Sequence, residues 1–167
     1  YRAIRFNLWD KSLDAGGNEI PYAERTVRPI VYHLNWDFPA DLVDTAKEIG
    51  AEWNGVFRRT VASLQGKDIS EVPDMFILNT NSCAIDNLAA FWSAHPDVKD
   101  AATKEVGVAL DDKTLVNYCS ATEYFSRDLA DGFEWEQIGD PRFNMLYWIT
   151  NITPSGFAGY GPMLGDP

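Results

Sequence analysis

Two residue types on which metal and redox chemistry depend are scarce in this chain: its 167 residues hold two cysteines, Cys83 and Cys119, and two histidines, His33 and His95. A hydrolytic zinc site needs three protein ligands, most simply two histidines one helical turn apart with a glutamate between them. His33 and His95 belong to no such pair. His33, inside a strand-like run, reads as a satisfied sheet residue, and His95, beside Pro96, as a surface loop residue. Cys83, His95 and Cys119 have the residue types of a metal cluster, but their spacing matches no ligand pattern. Two cysteines are compatible with one disulfide in an exported protein and equally with two buried thiols.

Basic residues are also few, 14 against 25 acidic ones for a net charge of -11. Nucleic-acid modules gather Lys and Arg on one face, and anionic membranes attract the same residues, so neither partner is expected. No apolar run approaches the roughly 18 to 20 residues of a membrane span, and Tyr1-Arg2-Ala3-Ile4-Arg5-Phe6 is no signal peptide. That is consistent with a mature or excised segment. Serine nucleophile elbows and dinucleotide fingerprints are missing. Residues 156–161, Gly156-Phe157-Ala158-Gly159-Tyr160-Gly161, lack the lysine and the following helix of a phosphate loop.

What the chain does have is core-forming material, 46% hydrophobic and 13% aromatic residues, enough for one globular domain. Four stretches are expected within it: a strand and turn over 1–27, a strand, long helix and strand over 28–78, an insertion over 79–139, and a strand with a cleft-edge segment over 140–167. Ile4, Phe6 and Leu8 alternate with polar neighbours as in a half-buried strand. Arg28-Pro29-Ile30-Val31-Tyr32-His33-Leu34 crowds β-branched and aromatic residues after a proline that fits a strand start.

A helix is predicted from about Pro39 to Gly66. Leu42, Ala46, Ile49, Trp53, Val56, Phe57, Val61 and Leu64 recur at steps of three and four, forming one continuous apolar stripe. Burying it is worth on the order of 10 kcal/mol, which a sheet of similar length would accept. Met75-Phe76-Ile77-Leu78 reads as a buried strand, so strand, helix and strand make a crossover unit. The pattern then weakens: a short helix over 85–93, a short strand over 115–118, and a helical turn or two over 122–129. Residues 143–150 are apolar on both faces, as in a central strand covered on both sides. The fold class is therefore α/β (α+β), a mainly parallel sheet with a long backing helix.

Glu134 and Glu136, two apart, would share a strand face and could do acid-base work, although a solvated face is the simpler reading. Trp53 and Trp148 fit core positions. Trp9, Trp36, Trp92 and Trp135 leave open a sugar-stacking role.

Two blocks carry a resemblance. Residues 28–46, Arg28-Pro29-Ile30-Val31-Tyr32-His33-Leu34-Asn35-Trp36-Asp37 onward, continuing to Glu52-Trp53-Asn54-Gly55-Val56-Phe57, resemble the opening strand and long first helix of large bacterial zinc-dependent metalloproteases of the metzincin type. Asp140-Pro141-Arg142-Phe143-Asn144-Met145-Leu146-Tyr147-Trp148-Ile149, then Gly159-Tyr160-Gly161-Pro162 and Asp166-Pro167, is similar to the segment before that family's zinc-binding helix. The resemblance implies a metzincin-like N-terminal sub-domain with a twisted, mixed sheet whose last strand runs antiparallel along the substrate cleft. Phe157, Gly159, Tyr160 and Gly161 would bind a peptide or protein substrate as an added strand. The H-E-x-x-H helix of the family is absent, so no catalytic residue and no metal ligand carry over, and zinc is expected in the remainder of the parent polypeptide. There, a zinc-activated water would attack the peptide carbonyl with a glutamate as base. By itself this sub-domain of a zinc metalloendopeptidase would hydrolyse nothing. Such an enzyme would be secreted or lie in the cell envelope. The alternative is a non-catalytic carbohydrate- or protein-binding module of an exported protein.

Overall fold

A computed structural model describes residues 6–149 of the chain. Pro29 fixes the backbone just ahead of β1 (Ile30–Leu34), where β-branched residues favour the extended conformation. A short 3-10 turn, Ala40–Leu42, leads into α1 (Val43–Gln65), which stops at Gly66 in the left-handed region with φ 65°. Glycine adopts that conformation without a Cβ clash, so it ends the helix where the sequence places it. β2 (Phe76–Asn79) follows, then α2 (Ile85–Ala94), α3 (Pro96–Val106), α4 (Leu115–Ser126) and β3 (Asn144–Leu146). The described residues thus form a mixed α+β structure of four α-helices and a three-stranded parallel sheet ordered β2-β1-β3.

These residues divide into two compact units. One includes Trp53–Met75 and the N-terminal residues through Ile30. Its core is Trp9, Val61, Ala62, Val72 and Met75, flanked by Leu8, Val27 and Phe57. Trp9 makes an isolated antiparallel bridge with Val27, but residues 6–9 form no strand, and Trp9 is buried where Phe6, on the face expected to be buried, is exposed. Buried Gln65 donates from Nε2 to the Arg25 carbonyl at 2.8 Å, and Asn54 accepts from Met75 N–H at 2.7 Å. Arg58 Nε likewise donates to the Val72 carbonyl at 2.9 Å.

The other unit, Val31–Glu52 with Phe76–Trp148, holds the sheet and α2 to α4. α1 packs against β2 at Gly50, where an added Cβ would be in ordinary contact with Leu78 Cβ at 3.4 Å. Tyr32 stacks on Phe76 at 5.4 Å, so the even-numbered residues of β1 share the face that α1 covers. The second core gathers Leu88, Trp92, Ala102, Leu115, Tyr118, Phe133 and Trp135 around a disulfide between Cys83 and Cys119.

Four further expectations are corrected. Residues 115–118 open α4 rather than forming a strand, and a whole further helix, α3, lies in the stretch where the apolar pattern weakened. Thr122, Cys119 and Ser126 are small or polar yet fully buried, so hydropathy alone hides that face. The α1 stripe splits: Ala46 and Val61 are buried, while Ile49, Trp53, Val56 and Leu64 are exposed. The buried row runs through Gly50, Asn54 and Gln65, the last two of which bond backbone groups through their amides. Among the described residues β3 lies at the edge of the sheet rather than at its centre, and it runs parallel to β1 where an antiparallel last strand was implied.

Candidate functional site

The carboxyl end of a parallel sheet is where loops of different strands converge and ligands bind in open α/β folds. Here that end is built from buried asparagines. Asn35, just past β1, is 3% exposed. Its backbone N–H donates to Leu146 O at 3.2 Å, its Oδ1 accepts from Trp148 N–H at 2.7 Å, and its Nδ2 faces Trp148 O at 3.5 Å. The side chain therefore continues the β1–β3 ladder after β1 has turned away. Nδ2 also donates to the Asp37 carboxylate, which fixes the turn. Phe38 meets the Trp148 ring edge-on at 6.5 Å.

On the opposite flank of β1, Asn81 Nδ2 donates to Leu34 O at 3.1 Å and to Glu136 O at 2.9 Å. The Glu136 carboxylate, in a residue 7% exposed, accepts from Ser82 N–H at 2.7 Å and from Ser82 Oγ at 3.1 Å. His33 Nδ1 comes within 3.1 Å of Glu136 Oε1 without the alignment of a hydrogen bond. The His33 ring meets Phe143 edge-on at 5.4 Å. Carboxylate beside imidazole is the pairing used in general-base chemistry. Yet Ser82 donates to the carboxylate and not to the imidazole, so the nucleophile-to-base contact of a catalytic triad is not made. Physically the cluster tethers β1, the β2–α2 loop and the segment leading to β3.

The two glutamates separate accordingly. Residues 133–138 form no strand, Glu136 points inward, and Glu134 stays exposed with Arg142 Nη1 at 3.8 Å. His95 lies at the α2–α3 junction, mostly buried, stacked on Phe91 at 4.4 Å and 3.2 Å from Asp131. It is thus a packing residue rather than a surface loop residue. The tryptophans also exchange roles: Trp9, Trp92 and Trp135 are buried, Trp36 is partly buried, and Trp53 and Trp148 are 52% and 44% exposed. Trp53 lies along α1 stacked on Phe57 at 5.9 Å, beside the buried row and not on it.

Residues Phe157, Gly159, Tyr160 and Gly161, expected to bind substrate, lie outside the described residues. Cys83 and Cys119 are consumed by their disulfide, and His33 and His95 each face a different carboxylate. The described residues therefore do not fit a zinc site. Asn35 and Asn81 escaped sequence reading because asparagine after a strand signals only a turn. No protein-family model, curated protein or solved structure matches the chain.

Proposed function

We propose that the chain is the N-terminal sub-domain of a zinc metalloendopeptidase of the metzincin type, non-catalytic by itself, forming the sheet and one wall of the peptide-binding cleft. The observation that carries the reading is β3, the edge strand among the described residues, with exposed Leu146, Tyr147 and Trp148 in a parallel sheet backed by the long α1. An extended peptide adds to such an edge through main-chain hydrogen bonds. The zinc ligands belong to the remainder of the parent polypeptide, and the disulfide suits an oxidising, secreted or envelope setting.

Metal analysis and a peptidase assay on a polypeptide continued beyond Pro167 test this reading. Stoichiometric zinc with peptide cleavage is the expected result; a folded product with neither ends the proposal. Half-exposed Trp53 and Trp148 favour one second reading, a carbohydrate- or protein-binding module of an exported protein. Calorimetry against a panel of oligosaccharides separates the two, because a peptidase wall gives no saturable heat.

A further inference from the structure

We infer that the helical unit carries a binding pocket for a small amphipathic anion, a carboxylate on an aromatic or aliphatic body. Trp92 and Tyr118 form its floor, and Lys99, Thr103 and Lys104 its anion-binding wall. The pocket shares no described residue with the β3 edge, and its chemistry needs neither zinc nor a peptide cleft.

An open pocket of about 700 Å³ lies between α2, α3, α4 and the loop that joins the last two, a size suited to a small ligand. Hydrogen bonds preset its floor. The Trp92 indole N–H donates to Thr122 Oγ1 at 3.1 Å, so the indole offers ring surface to the pocket. Tyr118 meets that ring edge-on at 5.5 Å and donates its hydroxyl to the Val108 carbonyl. This second bond pins the loop after Gly107, whose φ of 70° ends α3. Val108 and Leu110 thereby become the apolar side of the pocket. The Cys83–Cys119 disulfide, one residue from Tyr118, anchors α4 beside the floor.

The polar wall has one sign. In a chain of net charge -11, no carboxylate is among the described residues lining the pocket, while Lys99 and Lys104 both are. Arg25, Arg58, Arg127 and Arg142 are each paired with a carboxylate. Lys99 and Lys104 make no ion pair among the described residues, and Asp100, one turn before Lys104, makes none with it. Lys99 Nζ instead lies 5.9 Å from the Trp92 ring centroid, where the aromatic floor meets the cationic wall. Thr103, one turn after Lys99, adds a hydroxyl to that wall. A carboxylate placed there gains two cations and a donor, and an apolar body attached to it covers Trp92, Tyr118 and Leu110. A neutral apolar ligand leaves the lysines unused, and a cation is repelled by them.

The probe is phenylbutyrate, compared with phenylbutanol, which has the same ring and chain and no charge, each titrated into the full chain. NMR should show the Thr103, Val108 and Leu110 amides and the Trp92 indole N–H moving saturably with phenylbutyrate, with a dissociation constant in the millimolar range or below. The alcohol should bind about fivefold more weakly or worse. Lys99→Gln combined with Lys104→Gln should remove that preference and leave the melting midpoint unchanged, since both side chains are exposed. Ala89→Phe, at an exposed position of α2 on the pocket wall, should abolish binding of both probes by filling the space. Equal affinity for acid and alcohol, a preference for the acid that survives the double variant, or shifts that do not map to the pocket would each overturn the inference. Zinc loading and peptide cleavage by a longer polypeptide bear on the peptidase reading alone.

Discussion

Glu134 and Glu136 are chemically identical and two residues apart, yet one is solvated and the other is enclosed with two hydrogen bonds from Ser82. Truncating a buried acceptor leaves its donors without partners, and that loss exceeds the net worth of the bonds. Glu136→Ala should therefore cost about 1–3 kcal/mol in urea unfolding, with Glu134→Ala close to neutral. Equal midpoints for the two variants would show that the Ser82 contacts add nothing. Aspartates at turns respond to acid instead. Backbone and side-chain donors of Asn18 hold the Asp14 carboxyl below its ordinary value of 3.8, as Ser70 does for Asp68, Thr114 for Asp111 and Arg142 for Asp140. A carboxyl lowered in the folded state binds fewer protons there than when unfolded. Its stabilisation is complete above the ordinary value of 3.8 and disappears as pH falls through the lower folded one. Thermal midpoints should decline below about pH 4, and more shallowly in Asp14→Asn and Asp111→Asn than in the parent.

Helix α1 illustrates what a sequence discloses at the level of elements. Its start, its length and its end at Gly66 follow from proline, apolar recurrence and glycine, all local signals. Which side it buries does not, because the buried row includes Gly50, which has no side chain, and Asn54 and Gln65, which bond backbone groups. Hydropathy instead favours the flank holding Ile49, Trp53 and Val56. Val61→Ala should cost about 1–2.5 kcal/mol, and Trp53→Ala, although it deletes far more atoms, less than about 1 kcal/mol. Chemical unfolding of both variants checks the order, and a larger loss at Trp53 would mean that its face is covered. The crossover of β1, α1 and β2 was legible for the same local reasons. β3 was not: the apolar run 143–150 resembles a central strand, and only pairing shows that, among the described residues, its second side is an edge. The candidate site was the least legible part, since Asn35 and Asn81 act through partners more than 45 residues away in sequence, with separations of 113 for Asn35 and Trp148 and 47 for Asn81 and Leu34. No local pattern records such contacts.

At the scale of the whole molecule, two separate hydrophobic cores divide the described residues, and only one contains a covalent link. No helix among the described residues is long and apolar enough to cross a membrane. The Cys83–Cys119 bond closes a separation of 36 residues that takes in α2 and α3. On the chain-entropy account, closing a loop of that length is worth about 4 kcal/mol, gained by restricting the unfolded chain. Reduction should therefore destabilise the unit that contains the bond and leave the other largely unaffected. Amide exchange should accelerate in α2 and α4, including Leu88 and Tyr118, while Val61 and Ala62 keep their protection because their core surrounds Trp9, Val72 and Met75. If Val61 and Ala62 lose protection in step with Leu88, the two cores unfold as one cooperative system. A selective loss would instead identify the helical unit as the part of the chain that depends on an oxidising surrounding, because its stability alone is tied to the disulfide.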